Sequence, residues 1–262
     1  MRCSIRFSYD GADFFGWQRQ NDARTVQGEI EKALSLFLRD RISVTGAGRT
    51  DTGVNAVNYI AHFEHSDEKV LQDADTFLYK INAILPKTIT VHEICPAGED
   101  FHARFSAVSR EYHYFLHRRK DPFIGRFSWY CRYPLDMDRM NEAASYLTGK
   151  HDFSCFEKTG GNNLTSICTV YEAGWTTWTP PHVSLMGYPS EEGDFLVFRI
   201  RADRFLRNMV RAIVGTLVDI GRGKHGPEWM EQLIREGTRS DAGESVPGNA
   251  LFLSEVRYPE QE

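Results

Sequence analysis

Between an apolar lead-in (Ile42, Val44) and an alternating run (Val57, Tyr59, Ala61, Phe63), the chain places Gly46-Ala47-Gly48-Arg49-Thr50-Asp51-Thr52-Gly53-Val54. Gly46, Gly48 and Gly53 permit backbone angles and close approaches that a Cβ forbids, and the flanking patterns are those of strands, so the stretch reads as strand, tight loop, strand. Asp51 stands near the loop tip with Arg49 two positions before it. A carboxylate so placed serves as a nucleophile, a base or a metal ligand, or is a plain turn residue. The loop alone leaves all four open.

The rest of the chain supplies the scaffold. Its 262 residues, 41% apolar and 26% charged, suit one large or two medium domains with a full core. Residues 2–9 alternate, Cys3, Ile5, Phe7 and Tyr9 against Arg2, Ser4, Arg6 and Ser8. They predict a strand at the very start, where a signal peptide would carry a continuous apolar stretch. No apolar run approaches the ~20 residues that cross a bilayer. Cys3, Cys95, Cys131, Cys155 and Cys168 are widely spaced, with no Cys-x-x-Cys, which points to a reducing cytoplasm and away from disulfides or zinc.

Thr25 is an N-cap for an amphipathic helix over 26–39 (Val26, Ile30, Ala33, Leu34, Phe37, Leu38). Val70, Leu71, Ala74, Phe77, Leu78, Ile81 and Leu85 mark a second helix, stopped by Pro86, and 89–94 reads as a strand. Cys95-Pro96-Ala97-Gly98 is a candidate boundary, giving subdomains 1–98 and 99–262. Residues 110–117 form a strand with Tyr112, Tyr114 and Leu116 on one face. His113 and His117 on that strand lack a third ligand in sequence and are expected at the surface. Asp136 caps a third helix that Gly149 ends, and Thr159 to Asn163 is a loop. Residues 165–178 and 195–202 are long strands. The most apolar helix opens at Phe205 and ends at Gly221, with Arg207 and Arg211 four apart on one face. A last strand follows Pro247. Helices beside a largely antiparallel sheet define an α+β fold.

The motif Gly46–Val54, with Tyr9-Asp10-Gly11 and Phe15-Gly16-Trp17-Gln18-Arg19-Gln20 before it, resembles the bacterial tRNA pseudouridine synthase A family. Asp100 to Ala107, the Arg110-x-Tyr112-x-Tyr114 pattern, His151 to Phe156, Asn208-Met209-Val210-Arg211 and the segment around Leu251 extend the resemblance nearly end to end. It departs at Asn55, where the family usually has His, and at Ala250, where it usually has Gly.

This resemblance implies a pseudouridine synthase fold, with two similar mixed α/β subdomains and largely antiparallel sheets flanking an RNA-binding cleft. The subdomain 1–98 would carry the catalytic loop and 99–262 would complete the site. It implies isomerisation of uridine to pseudouridine in the anticodon stem-loop of tRNA, positions 38–40. Asp51 would be the nucleophile, Arg211 its partner, and Tyr112 the ring that stacks on the target base. Arg49, Leu251, Arg104 and Arg207 would join Tyr112 in binding substrate. An ordinary Asp titrates at about 3.9 and is an anion at neutral pH without a base to activate it. Whether it attacks the sugar or removes a sugar proton to give a glycal stays open. The reaction involves no redox step and no external group, so no cofactor and no metal are expected. The family further implies a cytoplasmic homodimer with one tRNA spanning both subunits.

The formal net charge of −5 gives no overall basic footprint. The acidic residues gather at Asp67-Glu68, Asp73, Asp75, Glu191-Glu192 and the Glu260-Gln261-Glu262 tail, and the arginines gather elsewhere. Arg104, Arg110, Arg118, Arg119 and Arg126 with Lys120 form one group, and Arg199, Arg201, Arg204, Arg207 and Arg211 another; both are candidates for phosphate contacts. Two alternatives stand beside the isomerase. One is an RNA-binding or folding protein on the same scaffold without turnover. The other is a nucleotide-binding enzyme using the glycine loop, but this loop lacks a following Lys-Ser/Thr and does not open a helix.

Overall fold

The computed structural model describes residues 1–66, 72–158, 160 and 164–259. Asp67, Glu68, Val70, Leu71, Thr159, Gly161, Asn162, Asn163 and the 260–262 tail lie outside the described residues. By contacts the chain falls into two compact units, Met1–Ser109 with the chain from Leu253 onward, and Arg110–Phe252. The first unit thus extends past the 98/99 boundary that Pro96-Ala97-Gly98 suggested, and it takes in the last strand.

In the first unit, β1 (Arg2–Tyr9) buries Cys3, Ile5, Phe7 and Tyr9. It lies antiparallel between β3 (Asn55–Glu64) and β4 (Ile89–Ala97). β2 (Val44–Gly46) and β10 (Leu251–Arg257) also pair with β3, and Asn58 Nδ2 donates to Ser254 O at 3.0 Å. α1 (Val26–Leu38) begins at Thr25, whose hydroxyl accepts from Gly28 N at 3.3 Å. α2 (Ala74–Ile84) begins at Asp73, whose carboxylate accepts from Thr76 N at 3.0 Å. Phe37 and Phe77 meet edge-on at 5.4 Å between the two helices.

Two local expectations fail here for physical reasons. β4 continues through Cys95 and Pro96, since it is the edge strand of this unit, where a missing N–H costs no ladder bond. Val57 is exposed and Ala56 buried, because a bulge shifts the β1–β3 register between Phe7 and Tyr9 and turns the start of β3 over.

The second unit holds β5 (Ser109–His117), β6 (Trp129–Tyr130), β7 (Gly149–Asp152), β8 (Ile167–Thr177) and β9 (Phe195–Ala202). The order β5-β9-β8-β7 is antiparallel throughout, with β6 parallel to β5. α3 (Met137–Ser145), α4 (Met209–Gly221) and α5 (Trp229–Glu236) complete it, with a single helical turn at Pro181–Ser184. α4 is buried almost all round. Gly221 lets Met140 of α3 approach, since a Cβ there would stand 2.5 Å from its sulfur.

α3 is capped by Asp136 as expected but stops at Ser145, and Gly149 instead opens β7 with φ +116°. α4 starts at Met209, not Phe205, because Asn208 takes φ 68°. Arg207 therefore precedes the helix, and Arg207 and Arg211 do not share a helical face. His117 is buried, with Nδ1 2.9 Å from Ser128 Oγ; it is not a surface residue. β6 and α5 carry no signal in the reading above.

All five cysteines are free thiols, and burial pushes those of Cys155 and Cys168 up to about 12. Among the described residues no His/Cys/Asp/Glu group could hold a metal, and no helix is long and apolar enough to cross a membrane.

Candidate active site

The Asp51 loop is held by atoms on three sides. Below it, Trp17 stacks on Tyr59 at 4.3 Å, and Phe7 and Tyr9 complete a ring cluster. From this cluster Tyr9 Oη meets Thr50 Oγ1 at 2.7 Å, and Tyr59 Oη donates to Gly48 O. From the side, Trp17 N donates to Thr50 O at 3.1 Å. At the exit, Gly11 N donates to Asn55 Oδ1 at 2.8 Å.

Glycine is required where these segments touch. A Cβ on Gly11 would lie 2.1 Å from Val54 O, and one on Gly46 would lie 2.2 Å from Tyr59 Oη. The entry strand is clamped from α1: Glu31 Oε1 accepts from Val44 N at 3.0 Å, and Gln27 Nε2 donates to Val44 O at 3.0 Å. Thr50 is buried, Asp51 half-buried and Arg49 exposed. The scaffold therefore fixes the backbone on both sides of Asp51 and leaves its residue reachable.

Asn55 is fully buried and spends its oxygen on the Tyr9-Asp10-Gly11 turn. A neutral amide does this without placing a charge in the core.

Arg104 lies in the loop before β5, exposed, with its guanidinium 5.4 Å over the Phe105 ring. This loop is tied to β3 by His62, whose Nδ1 accepts from Ala103 N at 3.1 Å. Burial, followed by the charges of His102 and Arg2, pulls the His62 pKa down to about 4. The neutral ring can accept that bond; the protonated ring cannot.

In the second unit, Tyr112 is half-buried and Phe205 meets it edge-on at 5.1 Å. Tyr114, its neighbour on the strand, is a core residue whose Oη donates to Pro247 O at 3.1 Å. Arg211 is bound to Val246 twice: its Nε donates to Val246 O at 2.7 Å, and its carbonyl accepts from Val246 N at 3.3 Å. Leu251 is buried at the start of β10, after a 3-10 turn over Gly248–Ala250. Ala250 has no positive φ, so that turn accepts alanine without strain. Arg207 is exposed.

Several arginines of the basic groups are engaged with carboxylates. Arg199 pairs with Glu111 at 2.8 Å and Glu172 at 3.2 Å, Arg201 with Glu172 at 3.8 Å, and Arg119 with Asp194 at 3.5 Å. Sequence reasoning missed Lys158, Arg239 and Ser245, which gather with Arg211 and the motif residue Asn208 around a cavity of about 260 Å³. They come from two separate loops, so no spacing in the chain announces them.

The family model for tRNA pseudouridine synthase matches residues 6–106 and 143–259. A protein named tRNA pseudouridine synthase A from Parabacteroides distasonis is 44% identical, over 99% of this chain and 97% of that protein. Its namesake in Bacillus subtilis is 39% identical over 98% of this chain and 99% of that protein, and that of Colwellia psychrerythraea 36% identical over 99% and 95%. The solved archaeal box H/ACA sRNP Nop10-Cbf5 complex matches with TM-score 0.38 and 11% identity, over 84% of this chain and 44% of that one, too distant to carry weight. The match by family model and by relatives of equal length covers both the Asp51 loop and the α4 segment, and the chain belongs to the tRNA pseudouridine synthase family, a family of isomerases.

Proposed function

We propose that this chain converts uridine to pseudouridine in the anticodon stem-loop of tRNA, with Asp51 as the nucleophile. The observation that carries this is the bracing of the Asp51 loop: ring packing, close glycine contacts and side-chain bonds fix the backbone while Asp51 stays half-buried. Positioning of that kind lowers a barrier only if the held group reacts.

The uridine flips out of its stack at a cost of a few kcal/mol. Asp51 opens the path by attack on the sugar or by removing a sugar proton. In either case the C1′–N1 bond breaks, the base turns, C5 bonds to C1′, and the proton on C5 is lost while N1 gains one. Arg211, fixed by Val246, pairs with the Asp51 carboxylate and orients it. Tyr112, fixed by Phe205, stacks on the base, and Leu251 closes the wall beside it. Arg49, Arg104 and Arg207, all exposed, contact the RNA. The unit containing Asp51 supplies the nucleophile and the unit containing Arg211 the groups that hold the base. The enzyme works in the cytoplasm as a homodimer, with one tRNA spanning both subunits.

The test is an unmodified tRNA transcript incubated with wild type or Asp51→Ala, with pseudouridine mapped by carbodiimide adducts and reverse-transcription stops. Stops in the anticodon arm with wild type alone are expected. Stops with both proteins would reject Asp51 as nucleophile. No stops with either, but retained salt-sensitive binding, would make the protein a non-catalytic RNA binder.

A further inference from the structure

The cavity at the start of α4 has a lining of one sign. Lys158 and Arg239 bring positive charge, Arg211, Asn208 and Ser245 complete the lining, and among the described residues no carboxylate lines it. The Ser245 hydroxyl has been turned into a donor. Its oxygen accepts from Asn208 Nδ2 and, at 2.9 Å, from Arg239 Nη2. With both lone pairs occupied, only its own O–H remains to be offered.

Asn208 holds this arrangement at the expense of a more ordinary bond. A residue at its position, just ahead of a helix, commonly caps the first amides with its side chain. Asn208 makes no such bond, and sits at φ 68° with its side chain on Ser245. The positive end of the α4 dipole therefore adds to the field. Arg239 is held in turn: Nη1 donates to Gly243 O at 3.1 Å, so its charge is anchored to the turn that carries Ser245.

We propose that this cavity seats one phosphodiester of the bound RNA strand, with Lys158 Nζ and the Ser245 O–H as direct ligands. Asn208 and Arg239 are positioning residues that aim the Ser245 hydroxyl. Lys158 is exposed, so the cavity opens at its cationic rim, as suits a strand passing by better than an enclosed free ion. The proposal rests on the reading that RNA is the substrate and adds the backbone contact that seats the strand.

The test uses an anticodon stem-loop RNA, unmodified or carrying a neutral methylphosphonate at one position at a time. Binding to wild type, Lys158→Ala, Lys158→Arg and Ser245→Ala is measured across a salt series. Lys158→Ala is expected to bind about tenfold more weakly and to lower the salt slope by roughly 0.7–0.9, the share of one phosphate contact. One methylphosphonate that weakens wild type should have no further effect on Lys158→Ala, and Lys158→Arg should restore most of the affinity. Ser245→Ala should blunt the response to that same methylphosphonate.

An unchanged salt slope with an unchanged methylphosphonate profile in Lys158→Ala would overturn the proposal. So would binding of inorganic phosphate to wild type with no methylphosphonate effect at any position, which would assign a free-anion site. Pseudouridine formation by wild type is scored in the same RNA. If it is absent while the interference persists, the isomerase reading fails and the phosphate seat stands.

Discussion

Around Asp51 the bracing groups are rings and close backbone contacts: Phe7, Tyr9, Trp17 and Tyr59 beneath the loop, and Gly11 and Gly46 where nothing larger fits. Around the start of α4 they are cations, an amide and a hydroxyl: Arg239 and Asn208 on Ser245, with Lys158 at the rim. Close packing is steep in distance and indifferent to ionic strength. Charge acts over a longer range, tolerates displacement and is screened by salt. A group that must meet one atom of a substrate benefits from the first kind of support. A surface that must hold a flexible polyanion while it settles benefits from the second.

The widest separation between the two regions should come from Asp51→Asn. It keeps the shape of the side chain and should lower the rate of pseudouridine formation at least ~10³-fold, since a carboxamide is a far poorer nucleophile. Single-turnover rates beside binding measurements check this, and tRNA affinity should stay close to that of wild type. Gly11→Ala forces a methyl group onto Val54 O and should destabilise the first unit by about 3 kcal/mol. Denaturant melts at low and high salt should give the same loss; a loss that salt abolishes would undo the contrast drawn above. Asn55→Ala strands the buried Gly11 N–H and should cost about 2 kcal/mol, read in the same melts.

Acid should act on the first unit through His62. Its folded pKa lies below the unfolded value, so the unfolded chain takes up the proton first. Stability is complete above about 6.5 and drains as pH falls toward about 4, by on the order of 1–2 kcal/mol. A His62→Phe protein should show a flatter pH profile over that window, followed by thermal melts. The smallest effect is expected from Arg239→Met, about 1 kcal/mol. It alone of the five should shrink as salt is raised, because its charge and not its packing is the support.

Much of this was legible in the chain. β1, α1, α3, β8 and β9 follow from apolar period and caps, because in each one face meets a core and the other meets solvent. The Asp51 loop stood out by its glycines, of which Gly46 is imposed by the Tyr59 and Trp17 rings and Gly53 by its φ of 76°, while Gly48 meets nothing within 4 Å. What escaped depends on partners distant in sequence. Pro96 reads as a breaker until β4 is known to be an edge. Val57 reads as buried until the β1 bulge is seen. Arg207 and Arg211 read as helical neighbours until Asn208 is seen in the left-handed region. Lys158, Arg239 and Ser245 converge only once their loops are folded. Asn55, a departure from the usual family residue, proves to be a buried strut between the Gly11 turn and the loop exit.

The first unit takes its last strand from the far end of the chain: β10 lies beside β3, and residues from Leu253 onward belong with Met1–Ser109. On a ribosome that strand emerges only after the whole Arg110–Phe252 unit has been made. The first unit must then wait, through the synthesis of Arg110–Phe252, with the part of one β3 flank that β2 does not cover unpaired. An open strand edge of this kind is a template for pairing with another nascent chain. The later-made unit, continuous in sequence, can therefore finish folding before the first unit closes its sheet.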